Sequence, residues 1–179
     1  MKKRTATKWT IDSTHSEIGF KVRHMMLTNI SGNFEKHEAT ITTEDDNFEN
    51  AVIEFSAEIN SINTRNADRD NHLKNADFFD TENYPKLTFK GTSFTKINNE
   101  SFELDGDLEI LGVKKLVKLP VKFSGIRNDP WGNTRAGITI LEKINRKDWG
   151  LSWNSAIDGG GVIISDEVEL NIELQLIKQ

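Results

Sequence analysis

The sequence has no cysteine, which excludes disulfides and thiolate-held metals and leaves the redox compartment open. It has no run approaching the roughly 18 apolar residues of a membrane-spanning helix. It has no excess of positive charge, since 23 Lys and Arg stand against 28 Asp and Glu, a net charge of -5. A sequence-independent grip on DNA or RNA needs a basic surface, so nucleic acid is set aside as a partner. Hydrophobic residues are also sparse, at 36%. A helical bundle of this length usually carries more Leu and Ala, whereas a strand hides one face and wets the other. The basic start Met1-Lys2-Lys3-Arg4 is followed by no apolar core before Asp12, His15 and Glu17, so it does not read as a signal peptide. The expectation is a soluble cytoplasmic chain, or a periplasmic one if a leader has been removed.

What is present is alternation with a period of two, the mark of half-buried strands. Near the C-terminus Val168, Leu170, Ile172, Leu174 and Leu176 alternate with Glu167, Glu169, Asn171, Glu173 and Gln175. Val117, Leu119, Val121 and Phe123 share a phase, as do Phe102, Leu104, Leu108 and Ile110 across Gly106. So do Ala51, Ile53, Phe55, Ala57 and Ile59; Ile18, Phe20 and Val22; and Ala136, Ile138 and Ile140, while Leu87 and Phe89 mark a further strand. Asn98-Asn99 and the stretch from Asn128 to Asn133 read as hairpin turns. Gly159-Gly160-Gly161 reads as a flexible approach to the last strand. At 179 residues the chain is sized for one domain, and several strands at short spacing indicate an all-β antiparallel barrel or sandwich. Residues 66–80 break the pattern and predict a short helical insertion, capped by Asn66 or Asp68, with Leu73, Ala76 and Phe79 as its apolar contacts.

Few residues announce chemistry. His15, His24, His37 and His72 form no HxH or HxxxH pair, so a metal site is not expected. A nucleophile elbow is missing, and the glycine run lacks the ending of a phosphate loop. His24 continues the inward phase of Phe20 and Val22. It reads either as a core histidine or as a polar contact inside a ligand cavity. Lys114, Lys115, Lys118 and Lys122 form a basic stripe, read as a solvated face that discourages edge pairing or as a docking surface for an anionic membrane. In Asn145-Arg146-Lys147-Asp148-Trp149, Arg146 and Asp148 are expected to pair. The segment reads as a corner closing the barrel end, or as an arginine at a cavity mouth meeting a polar head group.

Several stretches together resemble the YceI-like family of polyisoprenoid-binding, lipocalin-like proteins. They are the opening from Trp9 to Phe20, Gly32-Asn33-Phe34, and Ser61 to Thr64 followed by Arg69 to Lys74. They continue with Asp77 to Asp80, Tyr84-Pro85, Gly106 to Val113, Asn145 to Leu151, and Asp166-Glu167-Val168. The resemblance implies an antiparallel lipocalin-like β-barrel of about eight strands with room for a ligand. It places a tail at residues 1–8 and the barrel domain at residues 9–179.

The family resemblance further implies a long-chain isoprenoid or similar amphipathic lipid inside the barrel, such as a quinone or a prenyl phosphate. Each prenyl unit gains up to about 4 kcal/mol on leaving water, offset in part by ordering. No cofactor and no catalytic residue is expected. Phe20, Val22, Phe55, Phe89, Leu108, Ile110, Ile138 and Ile140 are expected to line the cavity, with Trp149 beside them. His24, Arg69, His72 and Arg146 are the candidate polar contacts. The rival readings are a lipid-modifying enzyme that uses the cavity and a stress-related structural protein whose barrel is filled. Family analogy leaves a homodimer open, and the lysine stripe leaves transient membrane contact open.

Overall fold

The structure, a computed structural model, describes residues 3–179. Its strands, in chain order, are β1 (Ala6–Ile11), β2 (Glu17–His24), β3 (Thr28–Phe34), β4 (His37–Glu44), β5 (Asn47–Glu58) and β6 (Ile62–Asn63). After the helix α1 (Ala67–Lys74) come β7 (Lys86–Lys96), β8 (Ser101–Ile110), β9 (Val113–Asn128), β10 (Thr134–Asn145) and β11 (Ile164–Lys178). All the pairings are antiparallel. Eight strands close a ring in the order β1-β4-β5-β7-β8-β9-β10-β11, with β11 returning to β1. Strand β1 begins at Ala6, so Ala6 to Lys8 pair with β4 rather than forming the expected tail.

The first three passes of the chain are bent. A one-turn 3-10 helix at Ser13–His15 separates β1 from β2, and both then pair with β11, at Trp9↔Lys178 and Ile18↔Ile172. Strands β3 and β4 repeat this against β2 and β1. Strand β6 continues β5 and pairs with β3, and its other edge has no strand. There the chain enters α1, where the Asn66 side chain accepts from the Arg69 N–H and so satisfies one free helix-end donor. The helix covers half of the predicted insertion, and residues 75–80 are turns or irregular. Leu73 near the end of the helix and Phe78 and Phe79 in the turn after it pack inward, whereas Ala76 in that same turn is exposed.

Alternation places the strand side chains as read. Leu176 is fully buried, and Val168, Leu170, Ile172 and Leu174 face the interior with it. Two glycines make room for rings on that inner face. A Cβ on Gly106 would stand 2.2 Å from the Phe89 ring, and one on Gly32 2.5 Å from the Phe20 ring. Phe20 and Gly32 are cross-strand partners, so each aromatic occupies the volume that a neighbouring side chain would fill.

The interior has two zones. At one end Trp9 packs against Phe48 at a tilt of 49° with ring centroids 5.1 Å apart, and Phe48 lies 4.9 Å from Phe123. Phe123 in turn meets Phe102 at 5.6 Å, and Phe102 meets Phe94 at 4.7 Å. Trp9 Nε1 donates to Thr43 Oγ1 at 3.0 Å, so the one polar atom of this plug is satisfied. The other zone is open space.

Candidate functional site

That open zone is a cavity of about 390 Å³, within the usual range for small-ligand sites. Its wall draws on the inner faces of β2, β5, β7, β8, β9, β10 and β11, and on the α1 segment. The wall is mostly apolar because each strand that borders it presents its oily phase there. Among the described residues no group of three His, Asp or Glu side chains is arranged to hold a metal. No helix among them is long and apolar enough to cross a membrane.

Twelve of the residues expected at the site line the cavity: Phe20, Val22 and His24 on β2, Phe55 on β5, Phe89 on β7, Leu108 and Ile110 on β8, Ile140 on β10, and Arg69, His72, Arg146 and Trp149 outside the strands. Ile138 does not. It is 4% exposed, pairs with Phe123 and belongs to the packed end. Its phase is inward as read, but depth along the barrel is set by strand stagger, which alternation does not report.

The polar groups of the wall divide by what they bind. Arg69 Nε donates to Thr64 Oγ1 at 2.7 Å and its Nη2 to the Thr64 carbonyl at 2.6 Å. Thr64 Oγ1 donates in turn to Asp70 Oδ1 at 2.6 Å. Arg69 therefore braces the entry to α1. His72 Nε2 bonds Asp77 Oδ2 at 2.9 Å, and its ring stands edge-on to Phe78 and Trp153 at 5.0 and 4.8 Å. Trp149 is buried, and its Nε1 donates to the Leu108 carbonyl at 2.9 Å, which locks it over β8.

Arg146 begins a short 3-10 turn (Arg146–Trp149) and is 4% exposed. It does not pair with Asp148, which is exposed. Its Nε donates instead to the Ser165 carbonyl at 2.9 Å and its Nη1 to the Leu151 carbonyl. Burial pulls its pKa below the ordinary arginine value, with Asp166 opposing weakly. The local reason for this inward aim is the turn itself: Asn145 caps it and Gly150 ends it with φ 86°. That ending turns the chain back so that Leu151 O comes within reach of the guanidinium.

The alternation reading passes over Trp153, Ile30, Thr64 and Leu151, which also line the cavity. Trp153 and Leu151 lie in an irregular segment with no period to read, and Thr64 sits between β6 and α1. Outside the cavity, the lysine stripe is exposed, and Lys118 Nζ lies 3.9 Å from Asp105 and 4.0 Å from Glu103 on the neighbouring strand. Those carboxylates interleave the stripe and weaken its positive field.

A family model described as the YceI-like domain matches residues 9–176. A UPF0312 protein of Staphylococcus aureus strain USA300 is 34% identical over 164 residues, spanning 91% of this chain and 93% of its own. The crystal structure of a Campylobacter jejuni YCEI protein superposes with a TM-score of 0.77 at 33% identity, covering 100% of this chain and 99% of that one. Burkholderia cenocepacia BcnA shares the fold with a TM-score of 0.79 at 19% identity, over 92% of this chain and 98% of its own. So does a polyisoprenoid binding domain from Saccharophagus degradans, with a TM-score of 0.69 at 15% identity over 96% and 98%.

Proposed function

This chain belongs to the YceI-like family, and on that premise we propose that it binds a long-chain isoprenoid or similar amphipathic lipid in its barrel, for carriage, storage or sequestration. The observation that carries this reading is the apolar cavity that remains beside the aromatic plug. A barrel serving only as scaffold gains stability from filling such a space, since empty apolar volume forfeits packing contacts. Apolar walls suit a prenyl tail, whose transfer from water supplies the affinity without any reacting group. The related fold of a domain that binds polyisoprenoids in another organism supports the same ligand class. We read the protein as a binder rather than an enzyme, because Arg69, His72, Trp149 and two nitrogens of Arg146 are engaged by backbone carbonyls, Thr64 and Asp77.

We place lipid entry beside the β2–β3 turn. Met26 and Leu27 there are 57% and 69% exposed, and Arg23 and His24 next to them line the cavity. Native mass spectrometry of the purified protein, followed by organic extraction, tests the proposal. The expected result is an added mass that extraction removes, and saturable rebinding of one prenyl lipid per chain. A chain that carries no extractable lipid and gives no saturable titration with prenyl alcohols, quinones or phosphates would refute it.

A further inference from the structure

At the cavity end of the barrel the β2–β3 turn carries three consecutive large apolar side chains, Met25, Met26 and Leu27, all exposed. The turn leans on the loop that precedes β11. There the Met25 N–H donates to the Ile163 carbonyl at 2.7 Å, and Val162, the residue before Ile163, is exposed as well. Immediately behind the tip, Val22, His24 and Ile163 line the cavity. The outer apolar patch therefore continues into the apolar mouth.

The composition of the tip is not explained by the turn. Two of the three methionines in the chain stand here, both in left-handed backbone that an L side chain adopts at a cost. Methionine adapts its flexible thioether to irregular apolar surroundings, and it is over-used on binding surfaces. Charge is segregated in the same hairpin. The chain carries 28 Asp and Glu, yet none falls between Glu17 and Glu35, where Lys21, Arg23 and His24 lie. The adjoining loop adds one acid, Asp158. An apolar tip with cations behind it complements a phospholipid surface, with the oily side chains at the acyl boundary and the cations at the phosphates. Other exposed apolar residues lack this setting. Trp131 and Ile97 stand singly in turns at the plugged end, and scattered single residues need no partner to explain them.

We propose that the β2–β3 tip, with Val162, is a membrane-docking surface: it dips into a phospholipid bilayer and sets the cavity mouth against the lipid. This rests on the reading of the cavity as a lipid site, because a ligand of that class is stored in a bilayer rather than in water. It also assigns the contact to apolar insertion at the barrel mouth instead of to the lysine stripe, whose neighbours Glu103 and Asp105 weaken its field.

The test uses the full-length protein and vesicles of phosphatidylcholine with a minor share of phosphatidylglycerol, free of prenyl lipid. The chain has no cysteine, so Leu27→Cys and Ile97→Cys each accept one environment-sensitive dye. Vesicles are expected to shift the Leu27→Cys dye to the blue and shield it from iodide, and to leave the Ile97→Cys dye unchanged. In co-sedimentation, Met26→Asn with Leu27→Ser is expected to weaken vesicle binding about tenfold or more without lowering the melting temperature. Lys115→Gln with Lys118→Gln is expected to leave binding within about twofold. Should the tip variant fail to fold, the two dye positions still decide. A wild type that does not sediment with vesicles overturns the inference, as does a shift at Ile97→Cys instead of Leu27→Cys. Binding lost with the lysine pair but kept in the tip variant overturns it too, and assigns docking to the stripe. None of these outcomes touches the lipid reading, which the mass of the extracted ligand decides separately.

Discussion

Arg135 joins segments that are far apart in the chain. Its Nη1 donates to Asp12 at 2.6 Å and to Gln175 Oε1 at 2.8 Å, and its Nε to Asp129 at 2.7 Å. Thr14 and Arg135 hold the Asp12 carboxyl well below the usual carboxylate range, and Arg135 does the same for Asp129. Both carboxylates are more acidic folded than unfolded, so they stabilise the fold above their ordinary value of 3.8 and lose that contribution as pH falls below it. His37 acts at a higher pH. Burial lowers its pKa from 6.5, so below 6.5 the unfolded chain takes up a proton that the folded chain resists, and stability declines as pH falls. The melting temperature is expected to drift down below about pH 6.5 and to drop more steeply below about pH 4. Arg135→Gln should lower it at neutral pH and flatten the steep lower limb. An acid limb of unchanged steepness in that variant would show that other carboxylates set it. Nothing in the sequence pattern marks Arg135, because its partners are 123, 40 and 6 positions away.

Strands and turns obey different rules in this chain. Alternation made the strands legible, since period-2 burial needs only local residues to state it. The β2–β3 turn was not legible. Met25 and Met26 both adopt left-handed backbone, with φ 50° and 58°, where Asn and Gly are the usual choices. An L side chain there costs about 1–2 kcal/mol per residue. The pair Met25→Asn with Met26→Gly is therefore expected to raise stability by about 1 kcal/mol, read as a higher urea midpoint. A lower midpoint would mean that the contact of Met26 with the Gly161 turn outweighs the backbone strain; its Cγ lies 3.5 Å from where a Cβ would stand on Gly161. Either sign would say whether methionines are kept at this tip despite strain, as an entry for lipid would require.

Across the whole molecule, one barrel does two jobs along its axis. The plug of Trp9, Phe48, Phe94, Phe102 and Phe123 resembles an ordinary protein core. The other zone has a wall and no filling. Truncation should therefore cost different amounts at equal phase. Phe102→Ala is expected to cost about 3–5 kcal/mol, the range for a packed aromatic. Ile172→Ala, on the cavity wall, should cost no more than about 2 kcal/mol because part of its surface already faces space, and it should change lipid affinity. Denaturant titrations with and without a prenyl alcohol check both. Equal losses, with lipid affinity untouched at Ile172, would contradict the division into plug and cavity.

The sequence by itself determined the all-β class, the inward face of β2, β5 and β7 to β11, the position of the helical break and the family. All of these are local or ordered along the chain: a period of two, a turn residue, a motif at its spacing. It also pointed to twelve residues that line the cavity. Tertiary structure alone decided the rest. The stagger of the closed sheet put Ile138 in the plug and Ile140 on the cavity wall, two residues apart on one strand and in one phase. The return of the chain at Gly150 gave Arg146 the Leu151 carbonyl instead of Asp148. Trp153 and Arg135 became part of the site and of the barrel's outer lacing without any local signal. Phase is a property of neighbouring residues, whereas depth, counter-charge and enclosure depend on strands that meet only when the barrel closes.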